Sequence, residues 1–274
     1  MKTDYYLPCR QIRQGHFFKS TRFCDMKRIF SALLLTALTF FGAGCAVFDD
    51  YEEYPSDISM EALEKQIQKS SDPDGVYKTA RSYIQRQTLT VKGFFFDDEY
   101  LVEVKYKRPN MFKTTTLKDN RPFSTLMFNG QKAWLINHAK KQTTELTGDS
   151  LTRMRNMCIL LMPDSTYSQI FDSIKLSQIR RDGVEYYKVV GSSQGREPIS
   201  IYVNKFTMLP KWLETREEMG GRKVNYMATM DSYAFYDQVM IANQSTVQVN
   251  NVRQISKVIL YRLNVELNDN EFRP

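Results

Sequence analysis

Tyr100, Val102, Val104 and Tyr106 fall on one side of a two-residue period, with Leu101, Glu103, Lys105 and Lys107 on the other. Successive side chains of a strand point to opposite faces, so this pattern predicts a half-buried β-strand. The same alternation recurs at Ile199/Ile201/Val203 and at Val224/Tyr226/Ala228/Met230. Asn129-Gly130, Asp182-Gly183 and Gly220-Gly221 read as two-residue hairpin turns, because these residue pairs accept the left-handed backbone that such turns need. Strands succeed one another from about Thr88 to about Val265, which predicts an antiparallel sheet with hairpin neighbours. The last of them, Lys257 to Val265, is apolar on both faces (Val258, Ile259, Leu260, Tyr261, Leu263) and is expected to be covered from both sides.

Helical periodicity interrupts this pattern twice. Asp57 or Ser59 can cap a helix running through Lys69. Ser70-Asp72-Pro73-Asp74-Gly75 breaks it, and Val76 to Gln85 resumes it with Val76, Tyr77, Ala80, Tyr83 and Ile84 on one face. Midway through the strands, Asp149 or Ser150 supplies an N-cap for Leu151, Met154, Cys158 and Leu161, and Pro163 ends that helix. A helix inserted there is expected to lie across the sheet and cover an apolar face. No internal repeat divides the chain, so residues 59–274 read as one domain.

Charge and cysteines change the picture at the N-terminal end. The chain holds 38 Lys/Arg and 31 Asp/Glu. Lys2, Arg10, Arg13, Lys19, Arg22, Lys27 and Arg28 lie in residues 1–44, against Asp4 and Asp25 alone, so the remainder is close to neutral and a nucleic-acid footprint is not expected. Residues 26–44 carry a basic start, an apolar run from Ile29 to Phe41 and a small-residue junction, the layout of a secretory signal and too short for a spanning helix. Residues 1–25 precede a good start at Met26 and read as either an over-long gene start or an extended n-region of this leader. Gly42-Ala43-Gly44-Cys45 resembles a bacterial lipobox, in which the cysteine is diacylated; Gly42 stands where Leu, Val or Ile is usual, and ordinary cleavage near Ala43 is the alternative. Asp49, Asp50, Glu52, Glu53 and Asp57 make residues 45–58 read as a solvated acidic tether.

Motifs for bond chemistry are weak. Gly148-Asp149-Ser150-Leu151 spells the nucleophile block of GDSL-type hydrolases, but it lies mid-chain and no histidine follows His138 to act as base. Helix capping accounts for the same residues. His138 lies in a turn and is expected to be solvated; one histidine after the leader supports neither a histidine relay nor a His-based metal site. Asp97-Asp98-Glu99 reads as a charged hairpin tip, and Cys158 as a small buried apolar residue. No catalytic residue, metal ligand or cofactor is expected. What stands out is apolar excess: 17 Phe, 16 Tyr and 13 Met, which suit either a filled aromatic core or a concave face that accepts flexible apolar ligands.

The run KYKRPNMFKTTTLKDNRPFSTLMFNGQKAWLINHAKKQTTEL at residues 105–145 resembles the core of the LolA/LolB-like outer-membrane lipoprotein-sorting proteins. The resemblance rests on Lys107-Arg108-Pro109-Asn110, the pair Met111-Phe112, Asn129-Gly130 and Trp134, followed in order by the helix near 151–161, the Gly183 hairpin and Phe272. It implies a mainly β fold with helices (α+β): a half-open antiparallel β-barrel under a helical lid. It also implies acyl chains or lipoproteins as ligands, and other lipoprotein-sorting components as partners. Arg108 matches an arginine that latches sheet to lid, and Phe112, Trp134, Met154 and Leu161 fall where the ligand and lid meet. Thr114 departs from the tryptophan often found in the carrier. A lipid on Cys45 makes the chain more similar to the membrane-anchored acceptor, facing the periplasm from the outer membrane, and Leu117 to Phe123 would supply the acceptor's projecting apolar loop. The alternative is a lipid-anchored structural or sensor module of the same fold with no cavity ligand.

Overall fold

The computed structural model describes residues 51–94, 96–161, 164–193, 197–219 and 222–274. The leader, Cys45, Pro163 and the Gly220-Gly221 turn lie outside the described residues. Two antiparallel meanders make up the sheet. The first comprises β2 (Ser82–Lys92), β3 (Asp97–Lys107), β4 (Met111–Lys118), β5 (Arg121–Phe128), β6 (Ala133–Asn137) and β7 (Gln142–Leu146). The second comprises β8 (Ser173–Arg181), β9 (Val184–Ser192), β10 (Ile199–Asn204), β11 (Pro210–Met219), β12 (Arg222–Tyr236), β13 (Val239–Val249) and β14 (Val252–Leu263). Pairing of β14 with β2 joins them, and β1 (Glu52–Pro55) adds an outer strand beside β8. The result is one open 14-stranded sheet whose edges are β1 and β7.

Both longer helices pack on the same face. Helix α1 (Met60–Ser71) lies over β8–β10, with Leu63 and Ile67 among Tyr187, Val189, Ile201 and Val203. Helix α2 (Gly148–Leu161) lies over the first meander, with Met154, Met157 and Cys158 buried against Tyr83, Tyr106, Phe112 and Phe128. A short helix α3 (Tyr167–Ile170) follows it. The opposite face of the sheet carries a second cluster, in which Tyr202 stacks on Trp212 at 4.6 Å with Ile179 and Tyr51 beside them. The closing 3-10 turn Asp269–Phe272 packs against β4, held by Lys105–Glu271 and Lys107–Asp269, with Phe272 fully buried. No helix among the described residues is long and apolar enough to cross a membrane.

Four expectations need correction. Ser59 does cap α1, its hydroxyl accepting from the Ala62 amide at 3.2 Å, but the helix does not resume as far as Gln85. Gly75 takes φ +70° and only Val76–Lys78 form a 3-10 turn, capped by the Asp72 carboxylate through the Val76 and Tyr77 amides. From Ser82 onward Tyr83, Gln87, Leu89 and Val91 follow a period of two, and pairing with both β14 and β3 outweighs the helical spacing of Tyr83 and Ile84. Part of the expected acidic tether is strand β1, because its charge is matched: Glu53 accepts from Lys188 at 2.7 Å and from Ser177 at 2.8 Å. The final strand is not covered on both sides; a bulge between Val258 and Leu260 turns Ile259 outward, 52% exposed. Asn129-Gly130 belongs to a longer turn over residues 129–132, in which the Asn129 side chain accepts from the Gln131 and Lys132 amides. Asp182-Gly183 is the expected two-residue turn, with φ +51° and +76°.

Candidate functional site

Cross-strand register defines the floor beneath α2. Tyr83, Tyr106, Phe112, Phe128 and Ala133 are successive partners across β2 to β6, so their side chains share one face. Tyr83 stacks between Tyr106 and Tyr261, with ring centroids 5.3 and 5.2 Å apart. Burial pushes the Tyr83 and Tyr261 phenols well above their ordinary value, and Tyr77 up to about 12, so these rings stay neutral. Tyr83 donates to the Leu161 carbonyl at 3.1 Å, tying the floor to the last turn of α2.

Arg108 holds the same end of the helix. Its Nε donates to the Ala80 carbonyl at 2.7 Å, and its Nη2 donates to the Tyr77 carbonyl at 3.0 Å and pairs with Asp164 at 2.6 Å. One planar guanidinium thus joins β3, the 3-10 turn before β2 and the segment after α2, a fork geometry that lysine does not offer. The peptide bond that follows it, Arg108-Pro109, is cis. Cys158 lies in the same core, its thiol pushed up to about 12 by burial, so the thiolate needed for nucleophilic chemistry is absent at neutral pH.

Arg108, Phe112, Met154 and Leu161 therefore come together around α2 and its floor. Trp134 does not join them: it neighbours Ala133, which faces α2, and so points to the opposite face, paired across strands with Met127 and Glu145. Leu117 and Phe123 lie on the paired strands β4 and β5, and the tip between them is the polar Asp119-Asn120. No apolar loop projects there. Among the described residues the most exposed large apolar side chains are Phe206 at 95% and Phe94 at 82%, in the β10–β11 and β2–β3 connections. Phe206 alone in its loop and Phe94 at the head of the run Phe94-Phe95-Phe96 carry no periodic signal, so sequence reasoning did not single them out.

The helix-covered floor is not wholly apolar. Gln87, Thr116 and Ser124 are 3%, 1% and 3% exposed. Among the described residues Gln87 Nε2, Thr116 Oγ1 and Ser124 Oγ have no hydrogen-bond partner. A buried polar group left unpaired costs about 1–3 kcal/mol. Between the areas under α1 and α2, the strip formed by Leu213, Met230, Asn243 and Ser245 is only half-buried.

The GDSL-like block forms the first turn of α2, where Ser150 is exposed. The one described histidine, His138, lies in the expected turn, but its side chain is not freely solvated; its Nε2 bonds Thr125 Oγ1 at 2.9 Å. Asp97 and Asp98 pair with Lys92 and Lys118 at the start of β3. Among the described residues no three His, Cys, Asp or Glu side chains cluster in a way that could hold a metal ion.

No protein-family model matches this sequence, and neither does any curated protein. Solved structures do match. A LolA superfamily protein from Nitrosomonas europaea superposes with a TM-score of 0.55 at 11% identity, covering 79% of this chain and 98% of its own. The fold is LolA/LolB-like. A DUF1329 family protein from Desulfovibrio piger (TM-score 0.55, 13% identity, 78% of this chain and 97% of its own) has a similar fold. So does an outer-membrane lipoprotein-sorting protein domain from Vibrio parahaemolyticus (TM-score 0.52, 13% identity, 78% and 97%). In the LolA/LolB-like frame, the sheet is the open barrel and α1 and α2 are the helices on its inner side.

Proposed function

We propose that this protein is a lipid-anchored envelope protein, tethered through Cys45, that binds acyl chains or lipoproteins by reversible sequestration on the helix-covered face and serves their sorting to the outer membrane. The observation that carries the reading is the construction of the cover. An aromatic floor lies under a helix that meets it through two methionines and a cysteine, and one guanidinium holds the end of that helix. Thioether side chains repack around varied apolar shapes. Each methylene taken from water contributes about 0.8 kcal/mol, so an acyl chain that displaces the helix side chains can offset the contacts it breaks. Transfer then requires only a difference in affinity between donor, this protein and acceptor, with no nucleotide or metal.

One observation favours a second reading. Tyr83, Val102, Tyr106, Phe112 and Phe128 are at most 5% exposed, and a floor filled by its own chain suits a structural or sensor module without a cavity ligand. Native mass spectrometry of the purified protein, followed by titration with a fluorescent acyl probe, separates the two. Acyl binding predicts co-purifying lipid or saturable probe binding that a fatty acyl competitor reverses. A protein that holds no lipid and leaves the probe unbound is the filled module.

A further inference from the structure

Of the four buried side-chain polar atoms without a partner among the described residues, three share a single row of the sheet, and the fourth, Trp212 Nε1, lies on the opposite face. Gln87 pairs with Val102, Val102 with Thr116, and Thr116 with Ser124, so all three side chains stand on the face that α2 covers. Sequence does not place them together, because they belong to three different strands. The contrast with the other face is direct. One position along, Thr115 and Thr125 are also cross-strand partners, and their hydroxyls meet at 3.3 Å while Thr125 bonds His138 at 2.9 Å. The Thr115 and Thr125 hydroxyls on the outer face are thus partnered, whereas those of Thr116 and Ser124 on the inner face have no partner among the described residues.

What the row presents is mostly donors. Gln87 Oε1 already accepts from Gln85 Nε2 at 2.7 Å, which leaves the Gln87 amide hydrogens without an acceptor. The Thr116 and Ser124 hydroxyls each have a hydrogen to give, and their strands are about 5 Å apart. No charged residue belongs to the row or to the row on its α2 side, where Gln85, Val104, Thr114 and Leu126 are partners. On the other side of the row Lys118 lies over the Tyr100 ring, but its ammonium is already paired with Asp98 at 2.6 Å, so an ionised carboxylate or phosphate would have to displace Asp98. A neutral acceptor that enters with hydrocarbon fits: the carbonyl oxygen of an ester.

We propose that Gln87, Thr116 and Ser124 form a polar subsite that receives the ester carbonyls of an acylglycerol group. The proposal rests on the acyl-binding reading and narrows its ligand class. Bound esters satisfy the row, while the chains lie along the aromatic floor.

The test uses the full purified protein and two probes of equal chain length, a monoacylglycerol ester and its ether analogue, which lacks the carbonyl. The ester should bind about tenfold more tightly, the worth of a hydrogen bond or two to buried donors. Gln87→Met, Thr116→Val and Ser124→Ala should each weaken ester binding and leave ether binding unchanged, and the triple variant should bind both probes equally. Thr115→Val, on the outer face, should keep the ester preference. Thermal melts check folding; the triple variant should melt no lower than the wild type, because it removes buried groups that lack partners. Equal binding of ester and ether by the wild type, or an ester preference that survives in the triple variant, overturns the subsite while acyl binding stands. Failure to bind either probe removes the acyl-binding reading together with the subsite.

Discussion

Helices α1 and α2 cover neighbouring parts of one sheet face, and they do so by different means. Under α1 the contact is Leu63, Ile67 and Met60 against Tyr187, Val189, Ile201 and Val203, most of it branched aliphatic. Its surroundings are tied by Ser168 donating to Glu64 at 3.2 Å and by Lys205–Asp57 at 2.9 Å. Under α2 the contact is Met154, Met157 and Cys158 on tyrosines and phenylalanines, and the polar ties gather at its C-terminal end, at Leu161 and Asp164. Branched aliphatic side chains have few rotamers and interlock, whereas methionine has three rotatable bonds and adapts. On the proposed function, the difference makes α1 the helix that completes the fold and α2 the one that lifts.

The largest effect should come from the floor itself. Phe112→Ala removes a fully buried ring shared by sheet and cover and should cost about 3–5 kcal/mol in urea unfolding. Leu63→Ala, under α1, should cost about 2–5 kcal/mol by the same measure. Comparable losses are expected, since both sites are core.

Arg108→Ala should split the two helices apart. It removes hydrogen bonds to a charged group, worth about 1.5–3 kcal/mol, and should speed amide exchange across residues 148–161 while Met60–Ser71 keep their protection. Cys158 reports the same event. With its thiol at about 12, only about one molecule in ten thousand is thiolate at pH 8, so alkylation of the native protein should be very slow and rise steadily with pH. In Arg108→Ala it should be faster at every pH. Unchanged labelling in that variant would separate the arginine from helix opening.

Smaller effects sharpen the contrast. Met154→Leu should change global stability by less than about 1.5 kcal/mol, yet weaken acyl-probe binding, because a stiffer side chain repacks less readily. At the β1 edge, a hydrogen bond from Lys188 holds the Glu53 carboxyl below its ordinary value of 4.5. Its contribution is therefore present above pH 4.5 and lost as pH falls through the lower folded value. Glu53→Gln should cost under about 1 kcal/mol at pH 7, screened as an exposed pair is, and the difference from wild type should vanish in acid.

Much of this was legible before the structure. The alternation from Tyr100 to Tyr106, the heptad-like spacing of Leu151, Met154, Cys158 and Leu161, and the Asp182-Gly183 turn are local signals, and each formed as its period or turn chemistry required. The Arg108-Pro109 block pointed to a residue whose guanidinium pairs with Asp164, in the segment after α2. Illegible were the features that depend on distant partners. Glu52 and Glu53 read as tether until Lys188 and Ser177, far along the chain, are seen beside Glu53. Trp134 read as a ligand contact, but its face is set by the register of β5 and β6. The polar row exists only through pairings among β2, β3, β4 and β5.

Hydrogen exchange of the purified protein, with and without a saturating monoacylglycerol, tests the central claim most directly. Ligand should accelerate exchange at residues 148–161 and leave Met60–Ser71 unchanged. Indifference of both helices, or equal slowing of the two, would contradict a lifted α2 and leave a LolA/LolB-like sheet whose cover does not move.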